Sequence, residues 1–338
     1  MPDRSEIIRT FLRTAGWQNA SRTALAGDAS PRRYDRLWRA QSRRSAVLMD
    51  APPELGNEIE PFLRVAASLG ERGLGAPEIL ASDNRAGLIL LEDLGDDLFA
   101  PVCAAAPESE HLLYDTAVDV LLELQTAPCP SHLAPYSTEI LVRESGLLTQ
   151  WYLPTAAGQA TPDPIRDELA TLVGAACGAL HGFRRAMVLR DFHAENLIWL
   201  PDRDGVRRVG LLDFQDALCG HPAYDLVSLL EDARRDTSAA LRTAMTRRFL
   251  AAYPGEPGEF RQAMAVLGAQ RNLKIIGIFA RLCLRDAKPK YVAMIPRVWA
   301  HLENDLRHPA LADLKTFIHA HVPPPAQHVL QKFAEPVA

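Results

Sequence analysis

The stretch Leu189-Arg190-Asp191-Phe192-His193-Ala194-Glu195-Asn196, followed by Leu211-Leu212-Asp213-Phe214-Gln215, decides how this chain is read. It has the form R-D-x-x-x-x-N, then an apolar run closed by D-F. In-line phosphoryl transfer asks for three polar side chains in this order. A carboxylate accepts or orients the proton of the attacking hydroxyl, and an Asn and a second Asp hold Mg²⁺ against the nucleotide phosphates. Asp191 and Asn196 are five residues apart, so one loop can aim both into a cleft. Asp213 closes the run Arg208 to Leu212, which reads as a strand and sets Asp213 beside that loop. An isolated Asp is most often a turn former. Three residues at this spacing make a site hypothesis.

Upstream, the patterning is that of a small β-rich segment. Ser5 to Trp17 carries Ile7, Ile8, Phe11 and Leu12 at helical spacing, with Ser5 available as a cap. Arg33 to Trp38 and Ser45 to Met49 alternate as strands, and Asn57 to Leu69 reads as a helix ended by glycines. Glu78 to Leu80 and Gly87 to Leu91 read as two more strands. The acidic run Glu92-Asp93-Leu94-Gly95-Asp96-Asp97 closes the last of these and marks a boundary, giving domains over 1–94 and 95–338. Beyond it, helical spacing dominates: His111 to Gln125, Asp163 to Phe183, Tyr224 to Ala233, Ala239 to Tyr253 and Glu259 to Leu284. Leu197 to Leu200 and Val209 to Leu212 pair as strands across Asp204-Gly205.

The 338 residues can bury a large core, and a net charge of -5 offers no global attraction to nucleic acid or an anionic membrane. No apolar run approaches the ~20 residues of a membrane span, and the N-terminus lacks the apolar core of a signal peptide. The five cysteines are scattered and form no C-x-x-C pair, so they read as reduced thiols of a cytoplasmic protein rather than metal ligands or disulfides.

With these motifs in place, the chain resembles the aminoglycoside phosphotransferase and choline kinase-like superfamily over about residues 20 to 300. Within it the chain looks most like the bacterial anomeric kinases of N-acetylmuramate and N-acetylglucosamine, which serve peptidoglycan recycling. That narrower likeness rests on Gly27-Asp28-Ala29-Ser30 with Arg32-Arg33-Tyr34, Met49-Asp50-Ala51-Pro52-Pro53 and Leu91-Glu92-Asp93-Leu94-Gly95-Asp96. It continues through Leu212-Asp213-Phe214-Gln215-Asp216-Ala217, Tyr224-Asp225-Leu226 and Gln270-Arg271-Asn272-Leu273-Lys274. The resemblance implies an α+β, protein-kinase-like fold of two lobes, the first small and β-rich, the second larger and mostly helical. It implies ATP and Mg²⁺, with Asp191 as catalytic base and Asn196 and Asp213 on the metal. Gly27, Asp28, Ala29 and Ser30 would cover the phosphates, Glu92 to Leu94 would meet adenine, and Asp225 would brace the catalytic loop.

One departure stands out. No lysine precedes Lys274, so the strand Ser45 to Asp50 lacks the lysine that binds the nucleotide phosphates in such enzymes. Arg33 and Arg36 are the expected substitutes, with Glu58 or Glu60 as a partner, although an arginine would bind with different geometry.

Residues 261–300 hold eight Lys or Arg and one acidic residue, Asp286. A polycationic acceptor would want the opposite sign. The run suits a neutral or anionic amino sugar, with Arg271 and Lys274, which share a helix face, as acceptor contacts. The same charges also read as solvated helix faces. The expectation is an ATP-dependent kinase acting on the anomeric hydroxyl of an amino sugar. Its alternatives are a kinase for another hydroxylated metabolite or an aminoglycoside-type antibiotic, and a nucleotide-binding regulatory pseudokinase. A protein kinase is disfavoured, because Asp213 to Pro222 is too short for an activation loop.

Overall fold

The computed structural model describes residues 3–25, 32–56, 58–180 and 183–334. In chain order the main elements begin with α1 (Arg4–Thr14), β1 (Ser21–Ala24), β2 (Arg33–Arg39), β3 (Arg44–Asp50), α2 (Glu60–Glu71), β4 (Ile79–Asp83) and β5 (Leu88–Glu92). Next come α3 (Phe99–Ala105), α4 (Glu110–Glu123), α5 (Thr138–Ser145), α6 (Leu153–Ala157), α7 (Asp163–Gly178), β6 (Ala186–Val188), β7 (Leu197–Trp199), β8 (Val209–Leu211) and β9 (Leu218–Gly220). The chain closes with α8 (Ala223–Leu230), α9 (Ala239–Ala252), α10 (Pro257–Leu284), α11 (Ile295–Asp305), α12 (Ala312–His321) and α13 (Gln327–Ala334).

Two compact units result, one from Met1–Val120 with Glu195–Ala217, the other from Leu121–Ala194 with Leu218–Ala338. The sequence patterning suggested a single boundary after Leu94. The segment Glu195–Ala217 belongs instead with the first unit for a backbone reason. Leu98 bridges Ile198, and Trp199 N–H donates to the Asp97 carbonyl at 2.7 Å. Leu211 N–H donates to the Gly75 carbonyl at 3.0 Å. Gly75 is required there, since a Cβ would meet the Val209 carbonyl oxygen at 2.2 Å.

The first unit is built on an antiparallel sheet of order β1-β2-β3-β5-β4. Strand side chains alternate between faces, and the alternation is clean here. Leu37, Ala46, Leu48, Leu88 and Leu90 pack with Ile8 and Phe11 of α1 and with Trp17. The opposite face therefore carries Tyr34, Arg36, Val47, Met49, Ile89 and Leu91, aligned through the pairs Tyr34↔Met49, Arg36↔Val47, Met49↔Ile89 and Val47↔Leu91. Ser5 does not cap α1; it lies inside the helix, which starts after Asp3 without a side-chain cap.

The second unit is mostly helical, with a short ribbon β6-β9. Its long helix α10 is buried from Val266 through Leu273, Gln270, Arg271 and Asn272 included, so it runs through the interior rather than showing a polar face to water. Helix α7 stops at Gly178, short of the expected Phe183. The cysteines also depart from expectation: Cys129 and Cys219 form a disulfide with Cα atoms 5.9 Å apart. Strand β9 sets this up, since Cys219 N–H donates to the Ala134 carbonyl at 2.8 Å, which draws that segment alongside. Cys103, Cys177 and Cys283 are free and buried.

Candidate active site

The catalytic-loop candidate leaves β6 at Leu189. Asp225, one turn into α8, accepts from Leu189 N–H at 2.6 Å and Arg190 N–H at 2.8 Å. Arg190 has φ 72, a left-handed conformation that costs about 1–3 kcal/mol and persists only where surrounding bonds fix it. The Asp225 pair supplies that restraint. Burial lifts the Asp225 carboxyl to about 7, against the lowering pull of its two backbone hydrogen bonds. Ser228, three residues on, donates to the Arg190 carbonyl at 3.2 Å. Asp232, seven residues on, accepts from Ala194 N–H at 3.3 Å and Arg234 N–H at 2.8 Å. Positions i and i+3 share a helix face. Asp225 and Ser228 on one face of α8, with Asp232 in the segment that follows the helix, therefore hold the loop from Leu189 to Ala194. Asp191 itself is partly exposed.

Arg271 extends this bracing. It is 4% exposed, and its Nη2 donates to Ser228 Oγ at 2.9 Å and its Nη1 to the Glu231 carbonyl at 3.3 Å. The expected acceptor contact is thus an interior residue, because this stretch of α10 is enclosed on all sides. Lys274 lies 3.0 Å from Glu144, the carboxylate that also pairs with Arg190 and accepts from the Tyr136 hydroxyl at 2.6 Å. Burial opposes ionisation of Glu144, but Lys274 and Arg190 outweigh it and hold its carboxyl below the ordinary value. The Arg190 guanidinium sits over the Tyr136 ring at 5.4 Å. His193 Nε2 is 3.1 Å from Arg234 Nη1. Arginine only donates, so Nε2 is the accepting nitrogen of that contact.

In the first unit, the β7-β8 hairpin brings the two metal-ligand candidates to one end. Leu197 pairs with Leu211, and Leu212 N–H donates to the Asn196 carbonyl at 3.0 Å, so Asp213 follows directly beside Asn196. Asp213 is exposed and has φ 55, a left-handed turn that Asp tolerates better than most residues. Gln215 Nε2 donates to Asp213 Oδ1 at 2.8 Å and to Asp216 Oδ2 at 3.3 Å, which orients the carboxylate. Phe214 packs on Phe62 of α2 with ring centroids 4.8 Å apart. Among the described residues no cluster of three or more His, Cys, Asp or Glu could hold a metal by itself. An exposed carboxylate one residue past the Leu212–Asn196 backbone bond fits Mg²⁺, a hard ion that takes most of its shell from phosphate oxygens and water.

The arginines expected to meet the phosphates fall in different places. Arg36 is 2.9 Å from Asp93 and 2.6 Å from Asp96. Its carboxylate partners are therefore in the acidic run after β5, and not Glu58 or Glu60; Glu60 instead accepts from Asn84 Nδ2 at 2.8 Å. Arg33 shares its strand face with Asp35 and Leu37, the face that α1 covers, and is exposed. Tyr34 points the other way. Burial pushes its phenol up, Asp213 adds to the rise, and Arg32, which hydrogen-bonds the phenol oxygen, opposes it. Glu92 pairs with Arg203 at 2.5 Å, and Leu94 is buried. Gly27, Asp28, Ala29 and Ser30 lie outside the described residues.

With that geometry set out, the comparisons are decisive. The sequence profile of the phosphotransferase enzyme family matches residues 21–260. The chain belongs to this family. An N-acetylmuramate/N-acetylglucosamine kinase from Caulobacter vibrioides is 37% identical, over 95% of this chain and 97% of that one. A protein of the same name from Pseudomonas aeruginosa is 35% identical over 88% and 89%. Among solved structures, a choline kinase from Streptococcus pneumoniae aligns with a TM-score of 0.64 at 14% identity, over 89% of this chain and 99% of that one. An aminoglycoside phosphotransferase in a ternary complex with streptomycin and ATP gives 0.58 at 13%, over 92% and 98%. The fold of this phosphotransferase is thus kinase-like, a small antiparallel sheet followed by a mostly helical part. No helix among the described residues is long and apolar enough to cross a membrane.

Sequence reading missed Glu144, Ser228 and Asp232. The spacing of Asp225 and Ser228 was a usable signal for the latter, since it puts two polar groups on one face of an otherwise apolar helix; Asp232, past the end of α8, had no such signal.

Behind that face lies a second carboxyl group arrangement. Asn272 Nδ2 donates to Glu231 Oε2 at 2.8 Å and to Asp305 Oδ2 at 2.9 Å, and Asp305 is 3% exposed. Burial raises both carboxyls, and each raises or is bonded to the other, so the pair retains a proton at pH values where an exposed carboxyl would not. Stability from a raised carboxyl is full below the unfolded value near 4 and is lost as pH rises through the folded one. Glu231→Gln keeps the acceptor for Asn272 and cannot ionise. Its stability relative to the parent protein is therefore expected to rise between pH 5 and pH 8 in urea unfolding. A difference that stays constant with pH would contradict the shared proton.

Proposed function

We propose that this phosphotransferase moves the γ-phosphoryl group of ATP to the anomeric hydroxyl of N-acetylmuramate or N-acetylglucosamine, in the cytoplasm, where ATP is supplied. The observation that carries the reading is the 37% identity to a kinase of that name, across nearly the full length of both chains. The residues are consistent with it. Asp191 accepts or orients the proton of the attacking hydroxyl, held in place by a loop whose N–H groups end on Asp225 and Asp232. Asn196 and Asp213 would hold Mg²⁺, which neutralises phosphate charge when bound. Positioning and charge neutralisation do most of the work in such transfers.

The basic run 261–300 gives less support for an anionic acceptor than its composition suggests. Arg271 is used inside the fold, Lys274 faces Glu144, Arg285 pairs with Asp286 and Arg297 with Asp236. Four of its eight cations are engaged within the fold, so acceptor choice rests on the relatives. The test is ADP release with Mg-ATP and N-acetylmuramate, N-acetylglucosamine or a panel of aminoglycosides. Turnover with the amino sugars and none with the antibiotics is expected. Turnover with aminoglycosides alone would overturn the reading.

A further inference from the structure

We propose that Glu144 is a positioning residue for phosphoryl transfer, holding the Arg190 side chain and through it the backbone that presents Asp191. The inference rests on the kinase reading above and concerns the second unit only. Asp191 follows directly on Arg190, whose φ of 72 is left-handed. A residue so placed keeps its conformation only where its neighbours fix it. Helix α8 fixes the backbone: Asp225 accepts from Arg190 N–H at 2.8 Å, and Ser228 donates to the Arg190 carbonyl at 3.2 Å. Those bonds leave the side chain, whose Nη2 donates to Glu144 Oε1. Arg190 is therefore held from two helices, by its main chain from α8 and by its guanidinium from α5.

The other carboxylate oxygen, Oε2, fixes Glu144 itself. It accepts from the Tyr136 hydroxyl at 2.6 Å and lies 3.0 Å from Lys274 Nζ. Charge-assisted contacts of this kind orient a side chain more firmly than neutral ones. Helix α5 is seated to match. Gln270 and Lys274, one turn apart on α10, meet α5 at two points one turn apart, the Leu141 carbonyl at 2.9 Å and the Glu144 carboxylate. Tyr136, just before α5, donates its N–H to the Cys219 carbonyl at 2.8 Å, and its ring lies under the Arg190 guanidinium. Cys219 belongs to β9, which pairs with β6, the strand from which the loop leaves. Glu144 and the loop thus share one frame, and a shift of the carboxylate is a shift of Arg190. Without the carboxylate, Arg190 and Lys274 would face one another as like charges.

Amide hydrogen exchange and steady-state kinetics on the full chain test this. Glu144→Gln keeps the shape of the side chain and loses its charge. It is expected to speed exchange over residues 189–194 about tenfold, as a locally loosened segment does. It should also lower kcat about ten- to hundredfold, the range for a displaced catalytic group, with KM for Mg-ATP unchanged. Glu144→Asp keeps the charge and recovers part of both losses. A double-mutant cycle assigns the route. If Glu144 acts through Arg190, adding Glu144→Gln to Arg190→Met lowers kcat little further. Additive losses, or coupling to Lys274→Met with none to Arg190→Met, would overturn the proposal. So would unchanged exchange in a folded Glu144→Gln protein. Where Glu144→Gln does not fold, Glu144→Asp takes its place in both measurements. A parent protein without turnover on any amino sugar would end the kinase reading, while the exchange result would still decide whether Glu144 holds the loop.

Discussion

Asp191→Asn is expected to lower kcat by about 10²–10⁴, the usual contribution of a positioned acid-base group, while Mg-ATP still binds normally. The two side chains differ by one atom and occupy nearly the same volume. The loop's own backbone bonds, Asp191 N–H to the Leu189 carbonyl at 2.9 Å and His193 N–H to the Asp191 carbonyl at 3.1 Å, do not involve the side chain. The anchors at Asp225 and Asp232 also remain. What is lost is the capacity to accept the hydroxyl proton. Single-turnover kinetics with saturating acceptor, beside a nucleotide titration, separates the two readouts. A variant that keeps more than about a tenth of kcat would remove Asp191 from the chemistry. A binding module without turnover would show no change in its function at all.

Asp225→Ala should have the larger effect on the protein as a whole. Both oxygens of this 2% exposed side chain accept backbone N–H groups, from Leu189 and Arg190. Removing them leaves two buried donors unsatisfied, at about 1–3 kcal/mol each. It also frees Arg190 to leave its left-handed conformation, which relaxes the loop that carries Asp191. A large fall in the urea midpoint and loss of turnover are both expected. Asp225→Asn separates the two effects. It keeps one acceptor and opposes the other N–H with its own amide, so it should unfold at intermediate urea and still turn over poorly at denaturant-free equilibrium. Normal turnover in a well-folded Asp225→Asn would show that the loop does not depend on this brace.

The candidate site residues stand out in the sequence because their signal is local. Asp191, Asn196 and Asp213 stand at short fixed spacings beside apolar runs, and the hairpin that joins the latter two follows from alternation and a Gly turn. The long helices and the sheet of the first unit were legible for the same reason. Features set by distant partners were not. Arg36 meets Asp93 and Asp96 only because β2 and β5 flank β3 in the sheet order. Strands β6 and β9 are three residues each, too short to show a period of two. The Cys129–Cys219 bond closes a separation of 90 residues. Arg271 read as an acceptor contact because the middle of α10, with Gln270 and Asn272 beside it, reads as polar. In the fold these three side chains are buried and bonded to groups on other elements. A polar stretch on a fully enclosed helix has no distinctive spacing, so only the packed structure reveals it.

The most direct measurement is proton-coupled phosphorus NMR of the product formed from N-acetylglucosamine and Mg-ATP. Phosphorus coupled to the anomeric proton is the predicted result. Phosphorus coupled to the protons of another carbon, or no sugar phosphate at all, would contradict an anomeric kinase.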